Sequence, residues 1–185
     1  MEVLVFAASP NKDGLTEECA QAAVEGAGVA GANAQIIYLN DKDIGLCQAC
    51  DRGWGKCRKE HSCQVEDGFQ AVHEKTGNAD GYVVVTPVYF GQLSESAKAY
   101  FDRLRRCEAT RGDESALAGK PVIGVAAAGG SGGGITSCLE EMSRLFSHLR
   151  CSIADMITVT QKSRSYKPAA IRQATQAMVA ALGKE

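Results

Sequence analysis

The sequence predicts an α/β protein with a five-stranded parallel sheet and helices on both faces. Short apolar segments alternate with amphipathic helical segments along the 185 residues, which is typical of a parallel sheet with helical crossovers. The apolar segments contain few polar residues, as expected for strands that are covered on both sides. Five such strands favour the doubly wound order 2-1-3-4-5.

Each element is justified by its local pattern. The strands are predicted where short apolar segments occur, at Val3–Ala8, Ala34–Leu39, Gly81–Thr86, Pro121–Ala128 and Ile153–Val159. The helices are predicted where apolar residues recur at three- to four-residue spacing, at Thr16–Ala30, Asp67–Gly77, Ser94–Arg106, Ile135–Leu149 and Ala169–Leu182. Residues 40–66 lack any apolar period, so a long loop is predicted after the second strand, and long loops are usually functional.

The composition restricts the function and the number of domains. Twenty basic residues against 22 acidic ones give a net charge of −2, which disfavours nucleic acid or an anionic membrane as partner. The apolar segments are far shorter than the roughly 20 residues of a membrane span. The first residues lack a basic region and a cleavage site and are predicted to form a strand instead of a signal peptide. We expect one domain over residues 1–185, in the cytoplasm.

Three loops follow strands 1, 3 and 4 and are expected at one edge of the sheet, where open α/β sheets bind ligands. The first loop, residues 8–16, leads into a helix. Its hydroxyls and the N–H groups of the helix N-terminus suit a phosphate dianion. The alternative is a turn in which Asp13 or Thr16 caps the helix.

The second loop, residues 86–94, carries Tyr89 and Phe90 directly after a strand. Such aromatic residues would cover a flat aromatic ligand, or they would pack under the next helix. The third loop, residues 127–134, has five glycines in six positions. It allows a close approach to backbone or a positive φ, unless it is only a flexible loop. It does not match G-x-G-x-x-G, so a dinucleotide fold is disfavoured.

Taken together and in this order, the three loops resemble the flavodoxin-like NAD(P)H-dependent FMN reductases over nearly the whole chain. The resemblance implies that the first loop binds the FMN phosphate and that the other two surround the isoalloxazine ring. The family usually has Arg at position 11 and Asn at position 15, so Lys12 is the expected replacement for the positive charge. The implied FMN residues are Ser9, Asn11, Lys12, Gly14, Leu15, Thr16, Pro87, Val88, Tyr89, Phe90, Gly91, Ala128, Gly129 and Gly130.

The predicted insertion after strand 2 contains four of the eight cysteines, in the pattern C-x2-C-x6-C-x5-C. These residues are Cys47, Cys50, Cys57 and Cys63. Four thiolates suit an iron–sulfur cluster or a zinc ion, and the alternative is free thiols that pack the loop or exchange disulfides. The loop resembles that of the iron–sulfur flavoproteins, which implies a [4Fe–4S] cluster. Many of these have their third cysteine at the position of Gly53, so Cys57 is expected to serve instead.

Cationic residues between these cysteines, Arg52, Lys56, Arg58 and Lys59, would offset the charge of a cluster. A second basic group, formed by Arg103, Arg105 and Arg106, is predicted to be a solvated helix end. The four remaining cysteines are predicted to be structural, because two lie on apolar helix faces and two at the ends of elements. They are Cys19, Cys107, Cys138 and Cys151.

No hydrolytic triad and no H-E-x-x-H pattern is present, so no residue is predicted to be catalytic. The expected function is an oxidoreductase that passes electrons from NAD(P)H through FMN to a small acceptor such as a flavin or a quinone. Two alternatives remain at this point. One is an electron-transfer protein that takes electrons from ferredoxin, and the other is a binding module that holds zinc. The resemblance also implies a homodimer or a homotetramer.

Overall fold

The sheet has the order and direction that the sequence predicts. The computed structural model describes residues 1–184. Five parallel strands are arranged in the order β2-β1-β3-β4-β5. They are β1 (Glu2–Ala7), β2 (Asn33–Tyr38), β3 (Gly81–Pro87), β4 (Pro121–Ala128) and β5 (Ser152–Thr160). The order reverses between β1 and β3, so the carboxyl ends of these two strands flank the switch point at which such sheets bind ligands.

The helices form two layers, one on each side of the sheet. They are α1 (Leu15–Val29), α2 (Lys56–Lys59), α3 (Phe69–Asn78), α4 (Glu95–Glu108), α5 (Ile135–His148) and α6 (Lys167–Leu182). All ten predicted strands and helices are present, and their ends differ by about two residues or fewer, which is ordinary fraying. The short helix α2 was not predicted, because its four residues, Lys-Cys-Arg-Lys, show no apolar period.

Each face of the sheet carries its own apolar core. Alternate residues of β1 point to opposite sides, so Val3 and Val5 pack against α1 and α6, whereas Leu4 and Phe6 pack against α3, α4 and α5. This alternation explains why the strand segments are continuously apolar. No helix within residues 1–184 is long and apolar enough to span a bilayer.

Candidate functional site

Direct contacts hold the three predicted loops together at the carboxyl edge of the sheet. The Ser94 hydroxyl, at the N-terminus of α4, donates to the Ala8 carbonyl over 2.8 Å. The Val88 N–H donates to the Ala127 carbonyl over 3.0 Å. A Cβ placed on Gly134 would lie 2.6 Å from the Gly91 Cα, so the second and third loops touch backbone to backbone. The three loops therefore form one continuous surface.

The N-terminus of α1 is open. Its N-cap residue is Gly14, and no side chain within residues 1–184 caps the helix. The alternative in which Asp13 or Thr16 serves as the cap is therefore wrong: Thr16 is a buried residue inside the first turn. Without a cap, the N–H groups of the first turn remain available to an anion, and the helix dipole favours negative charge there.

The charges around this helix end are largely paired. Arg164 donates two hydrogen bonds to Glu18, of 2.7 and 2.8 Å, and these lower the pKa of that carboxyl. Lys12, the expected phosphate partner, instead lies 2.5 Å from Asp41 and 4.8 Å from the centre of the Tyr38 ring. Because both members of the Lys12–Asp41 pair are exposed, the bond is weak and Lys12 is free to turn toward a nearby anion.

The second loop is a tight hairpin whose tip carries an exposed aromatic ring. Tyr89 and Gln92 exchange backbone hydrogen bonds of 3.1 and 3.0 Å, while Phe90 and Gly91 at the tip both have positive φ, 51° and 82°. Phe90 is fully exposed and Tyr89 is also exposed. The alternative of packing under the next helix is therefore wrong for Phe90. An exposed aromatic pair beside an open loop is typical of a binding surface.

The third loop exposes bare backbone. A Cβ on Gly129 or Gly130 would have no other atom within 4 Å, so nothing in the described chain requires glycine at these two positions. Gly132 and Gly134, in contrast, need glycine because their φ values are 82° and 78°. Open glycines at the mouth of a site allow a ligand to reach main-chain groups that a side chain would cover.

All four loop cysteines line one cavity. Cys47, Cys50, Cys57 and Cys63 are half-buried, and they share this cavity with three cations, Lys56, Arg103 and Arg106. Within residues 1–184, no three His, Cys, Asp or Glu side chains are placed to hold a single metal ion. Four thiols around one cavity are a donor set that suits an iron–sulfur cluster or a tetrahedral zinc ion.

The backbone of this segment is unusually strained. Ala49, Asp51 and Arg52 have φ between 46° and 64°, and Gly53 has φ of 127°. Left-handed conformations at non-glycine residues cost energy and are concentrated at functional sites. Gly53, at the usual third cysteine position of the resembled loop, thus occupies a conformation that a cysteine would rarely adopt, whereas Cys57 lies in α2 and reaches the cavity.

The prediction that Arg103 belongs to a solvated helix end is wrong. Its side chain is only 1% exposed and forms an ion pair with Asp67. Burial alone would raise the pKa of Asp67, but hydrogen bonds from Arg103 and from the N–H groups of Phe69 and Gly45 hold it below its usual value. Arg106 also turns inward, with its guanidinium donating to the Gly53 carbonyl and lying 4.9 Å from the Trp54 ring.

The four remaining cysteines behave as small apolar residues, as predicted. Three of them, Cys19, Cys107 and Cys138, are fully buried, and Cys151 is half-buried. Burial raises the pKa of each of these thiols to about 12. These thiols therefore ionise less readily than exposed thiols, and the thiolate is the form that binds a metal.

Comparison with known proteins identifies the family. The model of a family described as NADPH-dependent FMN reductase matches residues 1–163. The chain belongs to the NADPH-dependent FMN reductase family. It is 32% identical over 103 residues to a protein of Methanosarcina thermophila named iron–sulfur flavoprotein. That match covers 56% of this chain and 52% of the relative, so only about half of that relative's length is matched.

Two solved structures show the same fold as this chain. RosB with a bound 8-demethyl-8-formylriboflavin-5'-phosphate intermediate has a TM-score of 0.74 and 14% identity, over 100% of this chain and 81% of that one. An NAD(P)H:quinone oxidoreductase from Methanothermobacter marburgensis has a TM-score of 0.70 and 18% identity, over 96% of both chains. At such low identity these likenesses establish the flavodoxin-like architecture and nothing further.

Proposed function

We propose that this member of the FMN reductase family is an FMN-dependent oxidoreductase that takes electrons from NAD(P)H and passes them to a small acceptor through an iron–sulfur cluster. The observation that carries the proposal is the pairing of an uncapped helix N-terminus at the switch point with a separate cavity lined by four cysteines. The FMN reductase family and the relatives named iron–sulfur flavoprotein support it.

The described residues fit a bound FMN. The first turn of α1 offers N–H groups that no side chain caps, which suits the single phosphate of FMN. The hairpin with Tyr89 and Phe90, and the open backbone of Gly129 and Gly130, suit a flat ring. FMN, when bound, supplies the redox chemistry, because its ring system accepts hydride and releases electrons. The chain binds and orients the ring, and it needs no acid or base for that purpose.

The cysteine cavity likewise fits a cluster. Its donor set is four thiols, and its walls include the cations Lys56, Arg103 and Arg106, which offset the negative charge of thiolate-bound iron. The relatives named iron–sulfur flavoprotein favour a cluster over the alternative of a zinc-binding module. We further propose that the chain acts as one FMN-binding unit over residues 1–185, as a homodimer or a homotetramer.

The cofactor and the electron donor are tested on the same sample. We expect protein purified without oxygen to release FMN and not FAD on heating, because the first loop suits one terminal phosphate. Chromatography of the released flavin checks this. Anaerobic addition of one equivalent of NAD(P)H should bleach the flavin band. Release of FAD, or of no flavin, would refute the FMN proposal. Bleaching by reduced ferredoxin alone would favour the alternative of an electron-transfer protein.

The phosphate site is tested with Thr16→Ala. A hydroxyl in the first turn of α1 is expected to donate to the phosphate, and a hydrogen bond to a charged group contributes about 1.5–3 kcal/mol. We therefore expect the Kd for FMN, measured by flavin fluorescence titration, to rise roughly tenfold or more. Thr16→Ser keeps the hydroxyl and is the matched control, which should bind almost as the wild type does. Equal affinity of the Ala and Ser variants would show that this hydroxyl does not contact FMN.

A further inference from the structure

Arg103 is the most buried cation that lines the cysteine cavity. Its contacts lie at both ends of the cysteine segment, residues 47–63, which contains all four loop cysteines. One terminal nitrogen, Nη1, lies 2.5 Å from the Asp67 Oδ2 and 3.0 Å from the Gly45 carbonyl. The other, Nη2, lies 2.9 Å from the Asp67 Oδ1, 3.3 Å from the Val65 carbonyl and 3.3 Å from the Cys63 sulfur. The face of the guanidinium lies 4.4 Å from the centre of the Phe69 ring.

The groups that accept hydrogen bonds from Arg103 all lie at the two ends of the cysteine segment. Gly45 lies just before the first loop cysteine, and Cys63, Val65 and Asp67 lie at or just after the last one. One side chain of α4 therefore joins the two ends of the segment that contains all four thiols. An arginine does this well because its planar fork presents several donors in fixed directions, which a lysine cannot reproduce.

A second observation links Arg103 to the content of the cavity. Its Nε is buried and has no hydrogen-bond partner within residues 1–184, although Arg103 itself forms part of the cavity wall. A buried donor without a partner is unfavourable, and such donors are typical of sites that another group completes. The remaining cations beside the cysteines are exposed, apart from the half-buried Arg106, so the surrounding water screens their charges more strongly.

We propose that Arg103 is the positioning residue of the cysteine centre, where it fixes Cys63 and donates a hydrogen bond to its sulfur. This inference rests on the proposed iron–sulfur function and goes beyond the four ligands. Hydrogen bonds to ligand sulfurs are among the factors that set the reduction potential of a cluster. A donor to sulfur stabilises the more negative, reduced state, so the contact raises the potential and helps the centre to accept an electron from reduced flavin.

The test uses the full-length protein reconstituted with iron and sulfide without oxygen. Arg103→Lys keeps a positive charge beside Asp67 but cannot reach both ends of the segment. The double variant with Arg103→Gln and Asp67→Asn replaces the buried ion pair by two amides, so that no charge is left unpaired. Arg105→Met is the control, because Arg105 lies two residues away on α4 and lines the groove between α4 and α5 instead.

Three quantities are measured on each variant: FMN affinity, the rate at which a chelator removes iron, and the midpoint potential of the cluster. We expect both Arg103 variants to bind FMN as the wild type does, to lose iron roughly tenfold faster or more, and to have a more negative potential. The control should match the wild type in all three. A purely structural role would change the rate of iron loss but not the potential, and that outcome would overturn the inference.

The inference and the proposed function fail in different ways. Wild-type protein that retains no iron would refute the proposed cluster and the inference with it. If the wild type retains iron and both Arg103 variants match it in potential and in iron loss, only the inference is overturned. Limited proteolysis of the metal-free variants adds a readout without iron, because an unclamped segment should be cleaved between residues 45 and 67 faster than in the wild type.

Discussion

Gly26→Ala is expected to lower the melting temperature, whereas Gly28→Ala, two residues further along the same helix, is expected to raise it. A Cβ on Gly26 would lie 2.3 Å from the carbonyl oxygen of Arg172 in α6, which is closer than real atoms approach. A Cβ on Gly28 would have no other atom within 4 Å. The pair therefore separates the packing of α1 against α6 from the higher helix propensity of alanine.

The expected changes in stability of the two variants follow from these two effects. Alanine in place of an exposed helical glycine stabilises by roughly 0.5–1 kcal/mol, and overpacking a close contact costs about 1–3 kcal/mol. For a chain of this size, 1 kcal/mol corresponds to about 2–4 °C, so the two variants should differ by several degrees in a thermal scan. Equal melting temperatures would show that α6 moves away from α1 at little cost.

The contact between Gly26 and Arg172 also affects the proposed phosphate site. It fixes α1 against α6, and the N-terminus of α1 forms the proposed phosphate site. We therefore expect Gly26→Ala to weaken FMN binding as well, with no change in any residue of the three loops. Gly28→Ala should leave FMN affinity unchanged.

The fold could be predicted from the sequence because its signals are local. The short apolar segment Pro121–Ala128 favours a strand covered on both faces, and the spacing of apolar residues in Ile135–Leu149 favours a helix. Once five strands alternate with helices, chain topology places the loops after β1, β3 and β4 at one edge. The three loops of the candidate site were therefore predicted from their position together with their hydroxyl, aromatic and glycine residues.

What the sequence could not reveal were contacts between distant segments. Arg103 shares a short basic segment with Arg105 and Arg106, and such a pattern usually marks a solvated helix end. Only the fold brings Asp67 and Cys63 to it, across 36 and 40 residues. The pairing of Lys12 with Asp41 spans 29 residues and is equally invisible.

The alternative in which a side chain caps α1 was wrong for a different reason. Asp13 and Thr16 are both good capping residues by type, and the sequence gives no way to choose between a capped helix and one left open. In the structure the N-cap position belongs to Gly14, whose φ of −99° is ordinary. The absence of a capping side chain is informative only once the loops after β1, β3 and β4 are seen to surround that helix end.

Cys57→Ser is expected to abolish cluster binding while FMN binding survives. The four loop cysteines line one cavity, so removal of one thiolate leaves an iron site open and the loop without its crosslink. Iron per chain after anaerobic reconstitution should fall from a full complement to near zero. The FMN loops follow β1, β3 and β4, whereas the cysteine segment follows β2, so flavin content should stay at the wild-type level.

Cys57 is the decisive position among the four, because Gly53 stands where the resembled loops have their third cysteine and has φ of 127°. Cys19→Ala is the control: Cys19 is fully buried in α1, and burial raises the pKa of its thiol to about 12. That variant should keep all its iron and lose only about 1 kcal/mol of stability from packing. Cys57→Ala, which leaves no oxygen to bind iron, should behave as Cys57→Ser does. Full iron content in both Cys57 variants would show that Cys57 is not a ligand, and the four-thiolate centre would then be wrong.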